Sequence, residues 1–350
     1  MSTETQLAPA RWWRRHPIVT GSIAVVLVFL LTAGLLLLSP WFDREISAQA
    51  EAPSTYREAL QRSQDLTDRD GDEVNQACRS RVVDQGERTE QAVVLLHGYT
   101  NCPAQFDVIA QAYADAGYSV VVPRLPGHGQ ADRLTTALSD VTPSALVSVA
   151  YDSVDIAAGL GDEVTVVGLS GGGTLTGYVA GHRDDVDRAV LIAPLIVPKA
   201  LPEVTVGPAS RAFRYLPDIY VWWDRDKKAS LDEPPYAYPR FSFRSMGAFL
   251  AVGRAAQANQ PRETEMKELV VITNQNDGAV SNVGVHAMVA KLDPRAARRT
   301  THVFLESQGY GHDLIDPQGE DAQQLPEVYP VLGPLLGLHD LSYEQPGDDS

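Results

Sequence analysis

The chain has 350 residues, 44% hydrophobic and 21% charged, the balance of a globular protein that buries a core. Collagen-like, low-complexity and disordered compositions are excluded for most of its length. Acidic residues outnumber basic ones 45 to 29, a net charge of −16, which disfavours a phosphate backbone and so excludes nucleic acid as the expected partner.

The first informative segment is residues 18–38: 21 residues without a charge, 14 of them Ile, Val, Leu or Phe. At about 1.5 Å per residue it reaches roughly 31 Å, the thickness of a bilayer's hydrocarbon core. A buried core helix would normally carry a polar face. Arg11, Arg14 and Arg15 precede the run, and Asp43, Arg44 and Glu45 follow it with a net charge of −1. The positive-inside rule then predicts a cytoplasmic tail at 1–17, a single transmembrane helix at 18–38, and the remainder outside the cytoplasm. Trp12, Trp13, Trp41 and Phe42 stand where interfacial aromatic belts belong. Ala48-Gln49-Ala50 keeps a cleaved signal peptide open as the competing reading. Either way the catalytic part is expected at the cell membrane's outer side or beyond it.

Residues 39–90 are polar and read as an extracytoplasmic stalk with one short helix at Tyr56–Ser63. Asp68, Asp70 and Asp72 alternate around Gly71, but no glutamate closes a calcium loop, so this stretch is expected to be solvated linker. From Gln91 on, short apolar runs alternate with helical stretches such as Phe106–Ala116 and Thr174–His182. The runs are Ala92–Leu96, Tyr118–Val122, Val164–Val167, Ala189–Ile192, Leu269–Ile272 and Thr301–Phe304. Continuous β-branched runs predict strands covered on both faces, hence a mostly parallel, doubly wound α/β sheet over 91–340. An acidic tail, 341–350, follows. About 75 residues separate Ile192 from Leu269, too many for one crossover. Within that gap, residues 199–258 hold 10 of the chain's 26 aromatics. This is an insertion, either a cap lining an acyl or aromatic pocket or a module with a private core.

Gly168-Leu169-Ser170-Gly171-Gly172 matches G-x-S-x-G between a predicted strand and a predicted helix. A serine in so tight a turn requires neighbours without side chains, and the helix N-terminus presents N–H groups to a developing negative charge. Ser170 is therefore the candidate nucleophile. It needs a base and an orienting carboxylate. Of eight histidines, His312 lies in a loop after the last strand, in Gln308-Gly309-Tyr310-Gly311-His312-Asp313. His97 and His128 precede the serine, and His182, His286 and His302 fall within helices or a strand. Asp277, just after the strand ending at Ile272, is the expected acid, ahead of Asp293 and Asp313. An Asn-Asp-Gly turn without a catalytic role is its alternative.

The order Ser170, Asp277, His312 is that of the α/β-hydrolase superfamily. With His97-Gly98-Tyr99, Pro126-Gly127-His128-Gly129, Asn276-Asp277-Gly278-Ala279-Val280 and Gly311-His312-Asp313, the chain resembles bacterial carboxylesterases and monoacylglycerol lipases over residues 91–338. The resemblance implies cleavage of small-molecule or lipid esters through an acyl-serine, with no metal or organic cofactor. It assigns the oxyanion-hole N–H groups to Tyr99 and Gly171. The membrane segment and the long aromatic insertion depart from the soluble members of that branch. An acyltransferase using the same acyl-serine, and a binding protein of the same fold, are the alternative functions. Two cysteines are too few for a disulfide scaffold or a four-thiolate zinc site. Outside the cytoplasm, however, Cys78 and Cys102 are free to form one bridge across the first strand, the alternative being two free thiols.

Overall fold

Among the described residues, the sheet that the apolar runs anticipate has seven strands. In spatial order they are β1 (Arg81–Val83), β3 (Ser119–Val122), β2 (Thr89–Leu96), β4 (Gly161–Leu169), β5 (Arg188–Ile192), β8 (Met266–Asn274) and β9 (Ala296–Phe304). In this computed structural model β1 is antiparallel to β3, and every other neighbouring pair is parallel. The structure describes residues 48–225, 234–257, 266–292 and 296–343, with the isolated positions 22, 25, 34, 46 and 294. It divides into two units, 1–42 and 43–350. In the first, Ser22, Val25 and Gly34 are helical, and the rest of the span expected at 18–38 lies outside the described residues. Among the described residues no helix is long and apolar enough to cross a membrane.

Successive residues of a strand face opposite sides of the sheet, and both sides here are covered. Val94, Val166, Leu191 and Val271 join one buried cluster, while Val93, Val167, Val190 and Val270 join the other. The first cluster is closed by α3 (Pro143–Leu160), α4 (Gly171–His182), α6 (Phe243–Gln257) and α7 (Asn282–Leu292). The second is closed by α2 (Asp107–Asp115) and α8 (Leu325–Leu336). This two-sided burial is why β2, β3, β4, β5 and β8 read as apolar runs; β9, expected to be covered in the same way, is an edge strand buried only at Phe304.

The stretch expected to be solvated stalk differs. Helix α1 (Tyr56–Asp68) extends past the predicted Tyr56–Ser63, with Thr55 as N-cap accepting from Glu58 N–H at 3.2 Å. Its Ala59, Ser63 and Leu66 are buried, and a Cβ added to Gly159 of α3 would stand 2.5 Å from the Ala59 Cβ. Glu51 N–H donates to Asp155 of α3 at 3.0 Å. Asp70, from the acidic run, accepts from Arg124 Nε at 2.6 Å. β1 then adds the antiparallel edge. The folded body thus includes residues from Ile46 on, well before Gln91. Of the buried stripe of α1 only Leu66 is a large apolar residue, so it carries little apolar signal in the sequence.

The insertion is likewise part cap and part core. Helix α5 (Val206–Tyr215) and the hairpin β6 (Tyr220–Trp222) and β7 (Arg240–Ser242) stand outside the main sheet. Helix α6, counted with the insertion in the sequence, buries Ala248, Phe249, Leu250 and Val252 in the first cluster. Tyr236 and Tyr238 are buried as well.

Cys78 and Cys102 are joined, with Cα atoms 5.2 Å apart. The pair is buried with Val74, Ala104, Tyr236 and Ala237. It ties the segment before β1 to the loop after β2. Replacing both cysteines by serine is expected to lose roughly 3 kcal/mol through the opened loop of 25 residues. Urea unfolding with and without reductant measures it, and non-reducing peptide mapping shows the linked peptides.

Candidate active site

Strand β4 ends at Leu169 and α4 starts at Gly171, so Ser170 alone makes the turn between them. Its backbone has φ 54° and ψ −114°, a conformation that costs a non-glycine residue on the order of 1–3 kcal/mol. Backbone hydrogen bonds impose it. Ser170 N–H donates to Ile192 O at 2.9 Å, and its carbonyl accepts from Thr174 N–H at 3.0 Å and Leu195 N–H at 2.9 Å. The glycines of the motif are there for room. A Cβ on Gly168 would meet Gly172 C at 2.3 Å, and one on Gly172 would meet Leu96 O at 1.8 Å. A Cβ on Gly171 would stand 3.0 Å from Tyr99 N. The two backbone amides expected to form an oxyanion hole are therefore neighbours beside the serine.

Tyr99 is fixed from several sides. Its hydroxyl donates to Ser242 O at 2.8 Å and shares a 2.6 Å hydrogen bond with Ser245 Oγ. His97, fully buried, donates from Nδ1 to Gly98 O at 2.9 Å, and its Nε2 accepts from Leu125 N–H at 3.0 Å. A backbone N–H can only donate, so this ring is neutral. Burial first, then the neighbouring His128, holds its pKa well below the ordinary value. Burial likewise pushes His128 down to about 4. Both act as scaffold, and His312 stays the candidate base.

His312 Nδ1 donates to Asp277 Oδ2 at 2.7 Å. Asp277 is 1% exposed. Its other oxygen accepts from Ala279 N–H and Val280 N–H, each at 2.8 Å. Burial raises the Asp277 pKa, but the His312 hydrogen bond, its charge and the two N–H groups outweigh that and hold it below the ordinary carboxylate value. For His312, burial lowers the pKa, and the hydrogen bond and charge of Asp277, with the charges of Asp313 and Asp321, turn the balance upward. With Nδ1 committed, Nε2 is the ring's proton acceptor. The His312 loop is pinned by Asn274 at the end of β8, whose side chain donates to the carbonyls of Tyr310 and Gly311, each at 2.8 Å.

Ser170, His312 and Tyr99 line one cavity of about 690 Å³. Its apolar wall comes from Phe213, Trp222, Trp223, Phe241, Phe243 and Met246, mostly insertion aromatics. Arg133, Asp313 and Glu320 add polar groups to the lining. A family model described as the alpha/beta hydrolase family matches residues 93–329. The chain belongs to the alpha/beta hydrolase family. Part of the chain is 37% identical over 117 residues to a thermostable monoacylglycerol lipase of Bacillus sp. strain H-257, covering 33% of this chain and 44% of that protein. The chain thus spans less than half the length of that curated relative. Among solved structures, one from the metagenome-derived lipolytic enzymes LipS and LipT superposes with a TM-score of 0.58 at 19% identity, covering 75% of this chain and 99% of that one. The Paleococcus ferrophilus monoacylglycerol lipase superposes with a TM-score of 0.55 at 19% identity, covering 74% and 98%. At these identities the structures bear on the fold alone.

Of the other expected site residues, Asp313 does not contact the His312 ring through a hydrogen bond. It accepts from Gln105 Nε2 at 2.6 Å and from the N–H groups of Ile315 and Asp316. Burial and the Asp316 charge raise its pKa to about 7, against the Gln105 hydrogen bond. Asp293 lies outside the described residues. Asn274 and Gln105 escaped the sequence reading because their partners are backbone groups and residues far along the chain. For the hydrolase turn itself, Gly172→Ala is expected to cost more than about 3 kcal/mol, as the new methyl overlaps a β2 carbonyl. Gly278→Ala, with nothing within 4 Å of its Cβ, should stay within about 0.5 kcal/mol. Urea midpoints of the two variants decide.

Proposed function

We propose that this hydrolase cleaves carboxylic esters of the acylglycerol, lysophospholipid or small-ester kind through an acyl-serine on Ser170, from an extracytoplasmic position anchored by residues 18–38. The observation that carries the reading is the His312–Asp277 pair, 2.7 Å apart, lining with Ser170 a cavity whose wall is largely aromatic. The likeness to a monoacylglycerol lipase over 117 residues supports the substrate class. The joined Cys78–Cys102 pair supports an oxidising compartment.

The chemistry follows from the geometry. Ser170 Oγ attacks the ester carbonyl as His312 Nε2 takes its proton. Asp277 holds the ring with its proton on Nδ1 and offsets the imidazolium charge. The N–H groups of Tyr99 and Gly171 receive the oxyanion, each such donor being worth roughly 3–4 kcal/mol of barrier. His312 then protonates the leaving alcohol. Water, deprotonated in turn by His312, releases the acid and restores Ser170. An alcohol accepted in place of that water would give acyl transfer instead, which appears as a new ester when an alcohol is added to the assay.

A p-nitrophenyl ester chain-length series is the direct test. Turnover should vanish in Ser170→Ala and fall by a factor on the order of 10⁴ in Asp277→Asn, as tautomer control is lost. Retained turnover in Ser170→Ala would overturn the assignment. His312 must be neutral to accept a proton, so kcat/KM should fall as pH drops through a value above the ordinary 6.5. Asp277→Asn should move that limb downward.

For the anchor, a C-terminal reporter fusion should be active only outside the cytoplasm, and alkaline carbonate should leave the full chain in the membrane. A soluble chain beginning near Glu51 would instead identify a cleaved leader.

A further inference from the structure

The amides expected to bind the oxyanion and the expected base sit on loops that the sheet does not hold together. The Tyr99 loop follows β2 and the His312 loop follows β9, with β4, β5 and β8 between those strands. No ladder hydrogen bond fixes the distance from one loop to the other. Among the described residues two side chains of the Tyr99 loop span it, Asn101 and Gln105, and Gln105 joins the residues next to Tyr99 and His312. Gln105 is 1% exposed, and both ends of its amide are committed. Oε1 accepts from Gly98 N–H at 2.7 Å, and Nε2 donates to Asp313 Oδ2 at 2.6 Å. The orientation is forced, because Gly98 N–H can only donate and so must face the oxygen.

Asp313 is equally committed. Its Oδ1 accepts from Ile315 N–H at 3.2 Å and Asp316 N–H at 3.1 Å. Asn101 makes a parallel link, donating to Asp316 Oδ2 at 2.8 Å, and Tyr236 of the insertion donates to Asp316 Oδ1 at 2.6 Å. Gly98 precedes Tyr99 in the chain, and Asp313 follows His312. One amide therefore connects the residue next to the oxyanion donor with the residue next to the base.

We propose that Gln105, through Asp313, is a positioning residue that sets the Tyr99 N–H against the substrate carbonyl in register with His312. This rests on the ester-hydrolase reading above. An oxyanion donor works over a few tenths of an ångström, and a misplacement of about 1 Å costs on the order of a hundredfold. Losing the link should therefore slow the chemical step and leave ground-state binding alone.

The test uses the full chain, a p-nitrophenyl ester and an alkyl trifluoromethyl ketone, whose adduct with Ser170 places an oxyanion in the same hole. Gln105→Leu and Asp313→Ala should each lower kcat by about ten- to a hundredfold, with KM within about twofold. Inhibition by the ketone should weaken in proportion to kcat, and the double variant should be no worse than either single. A polarity exchange separates positioning from mere packing. Gln105→Glu alone sets two carboxylates face to face and should be impaired. Gln105→Glu combined with Asp313→Asn restores the link, with the asparagine amide donating to the new carboxylate, and should recover most of the lost kcat. Losses that follow Tm alone, a raised KM with kcat intact, or no recovery in a folded exchange variant would overturn the proposal. Turnover abolished by Ser170→Ala but untouched by Gln105→Leu rejects only the role of Gln105. Turnover that survives Ser170→Ala rejects the ester-hydrolase reading beneath it.

Discussion

The contact on which the site depends is a backbone approach: Gly172, in the first turn of α4, against the carbonyl of Leu96 at the end of β2. A methyl group there would stand 1.8 Å from that oxygen. Because the helix comes so close, its N-terminus lies beside the loop that leaves β2, and Gly171 lies beside Tyr99 N. The same approach turns the chain sharply at Ser170 and leaves it at φ 54°. Strain of this kind persists only when the surroundings over-determine it. Here three backbone hydrogen bonds from β5 and its following loop and from α4 do so.

Much of this was legible in the sequence, and the reasons are physical. All six apolar runs fall on strands; in the five inner ones burial on both faces removes most polar residues, whereas Thr301–Phe304 belongs to the edge strand β9, where only Phe304 is buried. G-x-S-x-G was legible because the strand–turn–helix that needs its glycines is itself five residues long, although the backbone that Gly172 meets lies on β2. The Asp277–His312 pairing could be anticipated from strand ends, since parallel strands deliver their following loops to one edge of the sheet. What stayed hidden depends on distant partners or small side chains. Helix α1 packs through Ala59, Ser63 and Leu66, an apolar stripe too thin to stand out in a polar segment, so that segment looked solvated. The acidic run contributes Asp70 to a buried pair with Arg124, 54 residues away. The aromatics of the insertion divide between cavity wall and core, a division that composition does not encode.

Environment, not residue type, distinguishes the histidines. His97 and His128 are sealed in apolar surroundings without a carboxylate partner, so burial wins and they remain neutral. His312 is given one carboxylate by hydrogen bond and further negative charge nearby, so its protonated form is favoured despite burial. That bias suits a group that must carry a proton part-way through a reaction and then release it. The carboxylate that supplies most of the bias is itself kept ionised by His312 first and then by two backbone N–H groups, which connects the behaviour of the ring to the turn after β8.

The Cys78–Cys102 bridge has a consequence for how the sheet assembles. β1 and β2 are consecutive in the chain but not adjacent in the sheet, since β3 lies between them, antiparallel to one and parallel to the other. The bridge closes a short ring around both outer strands from residues made before β3. If oxidation precedes the docking of β3, that strand meets a preformed groove with both walls in place. The loop-closure entropy of bringing β1 to β2 is then already spent, and the slow search typical of non-local strand pairing is shortened at this edge. Under reducing conditions the same three strands must find one another unaided. Refolding rate, more than final activity, is therefore where the redox state of this pair is written.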